Sequence, residues 1–203
     1  MRHCSRESFL VAVINDKNNQ LATGINYSNE SYIIHINRSN SFIYDESIQA
    51  LYFSINKTFF EKLEAQIGLC GENTITKGYS KTLDQTNKRN YFNLFPSIFL
   101  NYTFNSYKSL SVNYNRRIDR PSYGDLNPFR FYNTSYNYSE GNPFLNSYLT
   151  DNIEIAYTYK NLYTSIYWNH ISNGFNEVTY VEPNSIIQRV IPNNFFNQQD
   201  LGF

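Results

Sequence analysis

The sequence predicts an all-β chain, an antiparallel up-and-down meander that forms part of a membrane-spanning barrel. Three observations carry this. Apolar and polar residues alternate strictly over several runs, which places successive side chains on opposite faces of a strand. The connections between runs are tight at one end and long at the other, as in outer-membrane barrels. The 203 residues are 18% aromatic and only 17% charged, with 19 Tyr and 16 Phe, more than a water-soluble core of this size needs.

The mean hydropathy of -0.53 would count against a helical membrane protein. It is compatible with a barrel, where every second residue meets water. The longest useful apolar run, residues 9–14, falls far short of the roughly 20 residues a transmembrane helix requires. Richness in Asn, Ile, Tyr and Lys is also what an AT-rich gene produces, but gene composition does not create alternation.

Along the chain, residues 9–14 read as a strand and residues 16–19 (Asp-Lys-Asn-Asn) as its turn. Residues 21–37 are one long strand with an irregularity near Asn29, or two short ones. Residues 46–57 and 62–76 form a pair about a short turn at 58–61. In the second, Leu63, Ala65, Ile67 and Leu69 oppose Glu64, Gln66 and Gly68. Residues 71–90 carry a polar tract and are expected to be a long loop. Residues 97–105 place Ile98, Leu100, Tyr102 and Phe104 on one face and Ser97, Asn101, Thr103 and Asn105 on the other, with Phe99 the exception. After a tight connection at 105–108, Leu110, Val112 and Tyr114 oppose Ser109, Ser111, Asn113, Asn115 and Arg117. Residues 119–147 are a second long loop, which in a compact water-soluble domain would count against the strand assignment. Ile153, Ile155, Tyr157 and Tyr159 then alternate with Asn152, Glu154, Ala156, Thr158 and Lys160. Beyond a Lys160-Asn161 turn, Leu162, Ile166 and Trp168 continue the apolar register to about His170. Residues 175–181 and 185–191 flank a Glu-Pro-Asn turn, and residues 200–203 look like a strand that is just beginning. The total is about nine to eleven strands.

Several function classes are excluded. Seventeen basic and seventeen acidic residues give no net charge, so nothing marks a nucleic-acid partner. Cys4 and Cys70 lack metal spacing and are not expected to build a disulfide framework. His3, His35 and His170 form no ligand-spaced cluster and read as surface or lumen histidines. No catalytic residue, metal site or cofactor is indicated. The N-terminus shows no apolar segment of signal-peptide length, so the chain reads as a fragment whose true start lies upstream.

The loop carries a distinctive series: Tyr91-Phe92-Asn93-Leu94-Phe95-Pro96-Ser97, Arg116-Arg117-Ile118-Asp119-Arg120-Pro121-Ser122-Tyr123, Leu126-Asn127-Pro128-Phe129 and Gly141-Asn142-Pro143-Phe144-Leu145. This order resembles the barrel of TonB-dependent outer-membrane receptors, specifically the outer membrane protein β-barrel family common in Bacteroidetes-type bacteria. The likeness covers the chain from about Gly24 onward. It implies part of a 22-stranded, plugged barrel in the Gram-negative outer membrane. Such receptors import a scarce nutrient (a siderophore, cobalamin, glycan or peptide) with energy from TonB. The implied partners are outer-membrane lipid, a small nutrient ligand, and a plug domain and TonB acting through a missing N-terminal part. With C-terminal strands also missing, residues 1–203 alone are not expected to transport anything. Two other readings stand beside this one: a water-soluble or cell-surface all-β carbohydrate-binding protein, and a passive porin-type channel.

The motif residues also have physical readings. Pro121, Pro128 and Pro143 push Arg120, Asn127 and Asn142 out of the helical region, and Gly141 is free to take φ > 0. By the register at Leu110, Val112 and Tyr114, Arg117 points inward and Arg116 sits at the outer lipid boundary, where its head can snorkel. Arg117 and Arg120 are candidates for lumen or ligand contact. A loop-anchoring ion pair with Asp119 or Asp125 is the more ordinary role.

Overall fold

The computed structural model describes residues 10–22, 25–28, 31–34, 39–181 and 183–203. His3, Cys4, Asn29 and His35 lie outside them. Twelve strands are described: β1 Leu10–Ala22, β2 Ile25–Ser28, β3 Ser31–Ile34, β4 Asn40–Phe59, β5 Leu63–Ser80, β6 Gln85–Asn105, β7 Lys108–Asp119, β8 Phe131–Thr134, β9 Asn137–Ser139, β10 Tyr148–Tyr159, β11 Leu162–Val181 and β12 Gln188–Gly202. Ten form one sheet in the order β1-β4-β5-β6-β7-β10-β11-β12-β9-β8, while β2 and β3 make a separate hairpin. Every pairing in the sheet is antiparallel except β9 on β12. From β4 through β12 the sheet is the predicted antiparallel meander, while β8 and β9, within the stretch 119–147 expected to be a loop, join its edge through a parallel pairing.

The register turns the alternation into two kinds of row. One row crosses seven strands as Ile55, Ile67, Ile98, Tyr114, Ile153, Trp168 and Leu201. The row one residue away reads Ser54, Gly68, Ser97, Asn115, Asn152, Asn169 and Asp200. The first is apolar throughout and the second carries no apolar side chain larger than glycine's hydrogen. A one-residue slip in any strand would exchange the faces. Leu51, Phe53, Ile55 and Ile67 are each at least 50% exposed on the apolar side. An exposed apolar surface of that extent suits lipid rather than water.

Three tight turns lie at one end, between β4 and β5, β6 and β7, and β10 and β11. In the first, Phe60 and Glu61 have φ of 51° and 58°, and Lys62 N donates to Phe59 O at 3.1 Å. Positive φ at both central residues is the type I′ pattern that matches strand twist, and it favours Asn-Gly. Neither residue here is Asn or Gly. Replacing Glu61 by Gly relieves the left-handed strain and is expected to raise stability by about 1 kcal/mol in denaturant titrations. An unchanged midpoint would show that the surroundings already absorb that strain.

At the other end the structure departs from the sequence reading in several places. Residues 71–90 are not a loop: β5 and β6 stay paired up to Ser80 and Gln85 and turn through 81–84. The inner-face side chains here, Thr74, Thr76 and Ser80, are buried but polar, so polar residues crowd both faces without ending the ladder. The expected turn at 16–19 is continuous β1, paired with residues 43–46 of β4. Residues 200–203 close β12 rather than begin a strand, and β11 runs on to Val181 through an irregularity between Ile171 and Phe175. Cys70 is fully buried and disulfide-bonded, although no disulfide framework is expected from the sequence.

The inner face is covered near this end. Tyr52, Cys70, Phe95 and Ile118 form a buried cluster joined by Ala50, Tyr91 and Leu149. Ile118 and Leu149 belong to the outer face by alternation. They reach the inner cluster because the β6–β7 ladder stops at Ser97 and Asn115, and above that point β7 and β10 part from β6.

Candidate functional site

The segment between β7 and β10 folds onto the inner face and is held there by a dense polar network. Its two Asn-Pro-Phe units adopt the same local turn. Asn127 Oδ1 accepts from Phe129 N at 3.2 Å, and Asn142 Oδ1 accepts from Phe144 N at 2.9 Å. Each asparagine reaches across a proline that has no N–H to offer, the Asx turn in which a side chain replaces a backbone acceptor. The units then interlock: Gly141 N donates to Asn127 O at 2.8 Å, and Asn142 N to Asp125 O at 2.6 Å. Asp125 also closes the turn at Ser122, accepting from its N and Oγ at 2.9 and 2.8 Å.

Gly141 is required for a reason other than the expected one. No glycine among the described residues has positive φ. A Cβ at Gly141 would instead lie 2.6 Å from both Asp125 O and Asn127 O. Close backbone approach, not a left-handed conformation, excludes a side chain there.

Strands far apart in the sheet grip the loop from opposite sides. Arg89 of β6 donates to Leu145 O and to Asn146 Oδ1. Asn194 of β12 accepts from Asn146 N at 2.8 Å and donates back to Asn146 O at 3.0 Å. Asn142 Nδ2 donates to Pro192 O and Asn193 Oδ1 at 3.1 and 2.9 Å. The Glu140 carboxylate lies between Arg130 at 2.9 Å and Arg189 at 2.6 Å. The bond to Glu140 holds the Arg130 guanidinium pKa above its usual value, outweighing the opposing effect of burial.

The sequence-predicted residues fall into distinct places. Arg120 pairs with Glu72 of β5 at 2.7 Å, with Thr74 Oγ1 at 3.4 Å, so its partner is neither Asp119 nor Asp125. Burial disfavours the Arg120 charge, but the Glu72 bond keeps its pKa above the usual value. On the neighbouring strand, burial pushes the Glu46 carboxyl up, Arg120 pulls it down, and Asp16 pushes it up again. Arg116 is not left to snorkel: Asp151 takes it in a bidentate pair at 2.8 and 2.9 Å and also accepts from Tyr114 Oη at 2.8 Å. Arg117 lies on the inner face, with Nε on Asn115 Oδ1 at 3.1 Å. There it lines an open recess with Asn113, Asn152, Glu154 and Tyr167. Leu126 and Pro143 line a small recess together with Phe42, Tyr44 and Arg89. Asn127, Phe129 and Leu145 are buried, whereas Tyr123 is exposed. Pro121 and Pro128 sit half-buried beside them. Among the described residues no group of three His, Cys, Asp or Glu lies close enough to hold a metal ion.

Arg89, Glu140, Arg189 and Asn194 carry much of the loop's anchoring, and the sequence reading did not single them out. The model of the outer membrane protein beta-barrel family matches residues 11–203. The chain belongs to that family. No curated protein matches it. Among solved structures, this family member is similar to the hemophore receptor HasR of Serratia marcescens, solved as a double mutant with its hemophore HasA and heme. That likeness has TM-score 0.63 and 11% identity, covering 96% of this chain and 39% of HasR. It is also similar to the Q482A mutant of the ferric enterobactin receptor PfeA of Pseudomonas aeruginosa, solved with enterobactin. Here the TM-score is 0.51 and identity 12%, over 95% of this chain and 37% of PfeA. At such identities the likeness is one of fold. The outer membrane barrel chain thus spans under two fifths of either receptor, and its ten-stranded sheet matches part of a receptor barrel.

Proposed function

We propose that this chain is part of the wall of a TonB-dependent receptor that imports a scarce nutrient across the outer membrane. The observation that supports this best is the segment 120–147 folded onto the inner face and tied to both β6 and β12. A gated receptor needs loops ordered against its inner wall, and this segment is held there from both sides. The receptor reading places a plug domain and a TonB-contacting peptide in a longer protein, with residues 1–203 as one portion of the barrel domain.

Arg117 is better placed than Arg120 to meet ligand or plug. It lines the polar recess, and none of the ion pairs among the described residues uses it. Arg120 is already engaged by Glu72. The ligand class implied is a siderophore, cobalamin, glycan or peptide. HasR and PfeA, whose structures hold heme with a hemophore and enterobactin, give that range its plausible iron-linked end. The test is nutrient-limited growth of a host that depends on the intact gene for each nutrient class, with and without TonB. Growth on one nutrient should be lost in both the gene deletion and the TonB deletion. Uptake that persists without TonB favours the porin reading.

A further inference from the structure

The end of the sheet that carries the tight turns is a continuous rim. Lys62 O accepts from Thr103 N at 2.7 Å, and Tyr107 O accepts from Lys160 N at 2.8 Å, so three separate hairpins are stitched together. Lys57, Phe59, Lys108 and Tyr159 share the outer face with the apolar rows, by alternation from Ile55, Val112 and Ile155. Phe60 and Tyr107 project from the turns at 94% and 65% exposure.

The lysines on this rim are arranged in an unusual way. Lys108 Nζ and Lys160 Nζ lie 5.3 and 5.4 Å from the centroid of the same Tyr159 ring. Lys57 Nζ lies 5.2 Å from the Phe59 ring. A ring face attracts one ammonium, but two on one ring repel each other. No ion pair among the described residues supplies either with a carboxylate. Lys160 also holds φ of 51°, a left-handed conformation that Asn or Gly would adopt more readily. What this cluster lacks is an anion from outside the chain.

We propose that this rim binds the phosphate of anionic phospholipid in the periplasmic leaflet, with Lys108 and Lys160 flanking the headgroup and Lys57 holding a second. The inference rests on the outer-membrane reading, in which tight turns face the periplasm. Aromatic rings at headgroup depth and lysines within reach of phosphate form one interface: the rings fix the depth and the ammoniums choose the charge. The committed occupant is a diacyl phospholipid. The apolar rows directly above the lysines receive its acyl chains, which a free anion does not possess.

The test uses the intact gene product in detergent, titrated with phosphatidylglycerol or with phosphatidylcholine of the same chain length and read by native mass spectrometry. Phosphatidylglycerol should be retained preferentially. Lys108→Gln and Lys160→Gln should each weaken that preference about fivefold, with a smaller loss for Lys57→Gln. Lys81→Gln with Lys88→Gln, at the opposite end, should leave it unchanged. Equal retention of the two lipids, or a preference that survives the triple Lys57, Lys108 and Lys160 substitution, overturns the proposal. Displacement by inorganic phosphate at matched concentration overturns the lipid assignment in favour of a free-anion site. Failure of the underlying barrel reading registers separately, as protein that stays monodisperse without detergent.

Discussion

Leu100→Arg is expected to lower the stability of the intact gene product in lipid vesicles by about 2–4 kcal/mol, while Asn113→Arg leaves it nearly unchanged. Leu100 pairs with Ala65 on one side and Val112 on the other, within an outer row that continues through Ile155 and Ile166. A guanidinium there faces hydrocarbon. Asn113 stands one residue from Val112 on the opposite face, where it lines the polar recess with Arg117 and Asn152. The same substitution thus meets opposite solvents one strand over and one residue along. Urea titration of the vesicle-refolded protein measures both variants. Equal destabilisation would mean that the two faces do not meet different media.

Gly141→Ala is expected to release the 120–147 segment from the inner face. The new methyl group would meet backbone atoms of Asp125 and Asn127 at 2.6 to 2.7 Å, and backbone has no rotamer by which to yield. Moving apart breaks the Gly141-to-Asn127 and Asn142-to-Asp125 bonds that interlock the Asn-Pro-Phe turns. Overpacking of this kind costs about 1–3 kcal/mol, roughly five- to 150-fold in the population of the undocked loop. Trypsin cleavage after Arg130, whose side chain is half exposed, should accelerate by a similar factor. Gly124→Ala is the control, since its Cβ would meet only Ser122 Oγ at 3.5 Å. Equal cleavage of the two variants would show that the interlock does not hold the loop.

The membrane-facing part of this fold was legible because lipid and water impose opposite demands on neighbouring residues. Residues 97–105, 109–117 and 153–159 declare their strands for that reason, and the register bears them out. Where one face meets water and the other a polar network, as at buried Thr74, Thr76 and Ser80, the constraint disappears. The polar stretch from Gly71 to Asn90 has no apolar alternation to read, yet it completes one of the longest ladders in the sheet. Ile118 and Leu149 break the rule differently: the sheet parts beside them and returns their outer face to the interior.

The loop was legible as a motif but not as a network. Asn-Pro-Phe appears twice in the sequence, and each copy turns in the same way. The partners that hold the loop lie 48 to 57 residues away, as Glu72 does from Arg120 and Arg89 from Asn146. Glu72, Arg89 and Asn194 sit in polar surroundings that make no one of them conspicuous in a string of letters. Local spacing predicts a turn; which distant strand receives it depends on how the sheet curves.

One consequence of the β9 pairing concerns whatever is laid beside β12. β9 runs parallel along Gln188–Val190 on the flank away from β11, and Glu140 N takes Val190 O at 3.0 Å. The amides and carbonyls on that stretch are therefore already spoken for. A neighbouring strand running up from the tight-turn end finds open backbone only as far as Ile191, so the folded-in segment also sets the height at which that seam ends.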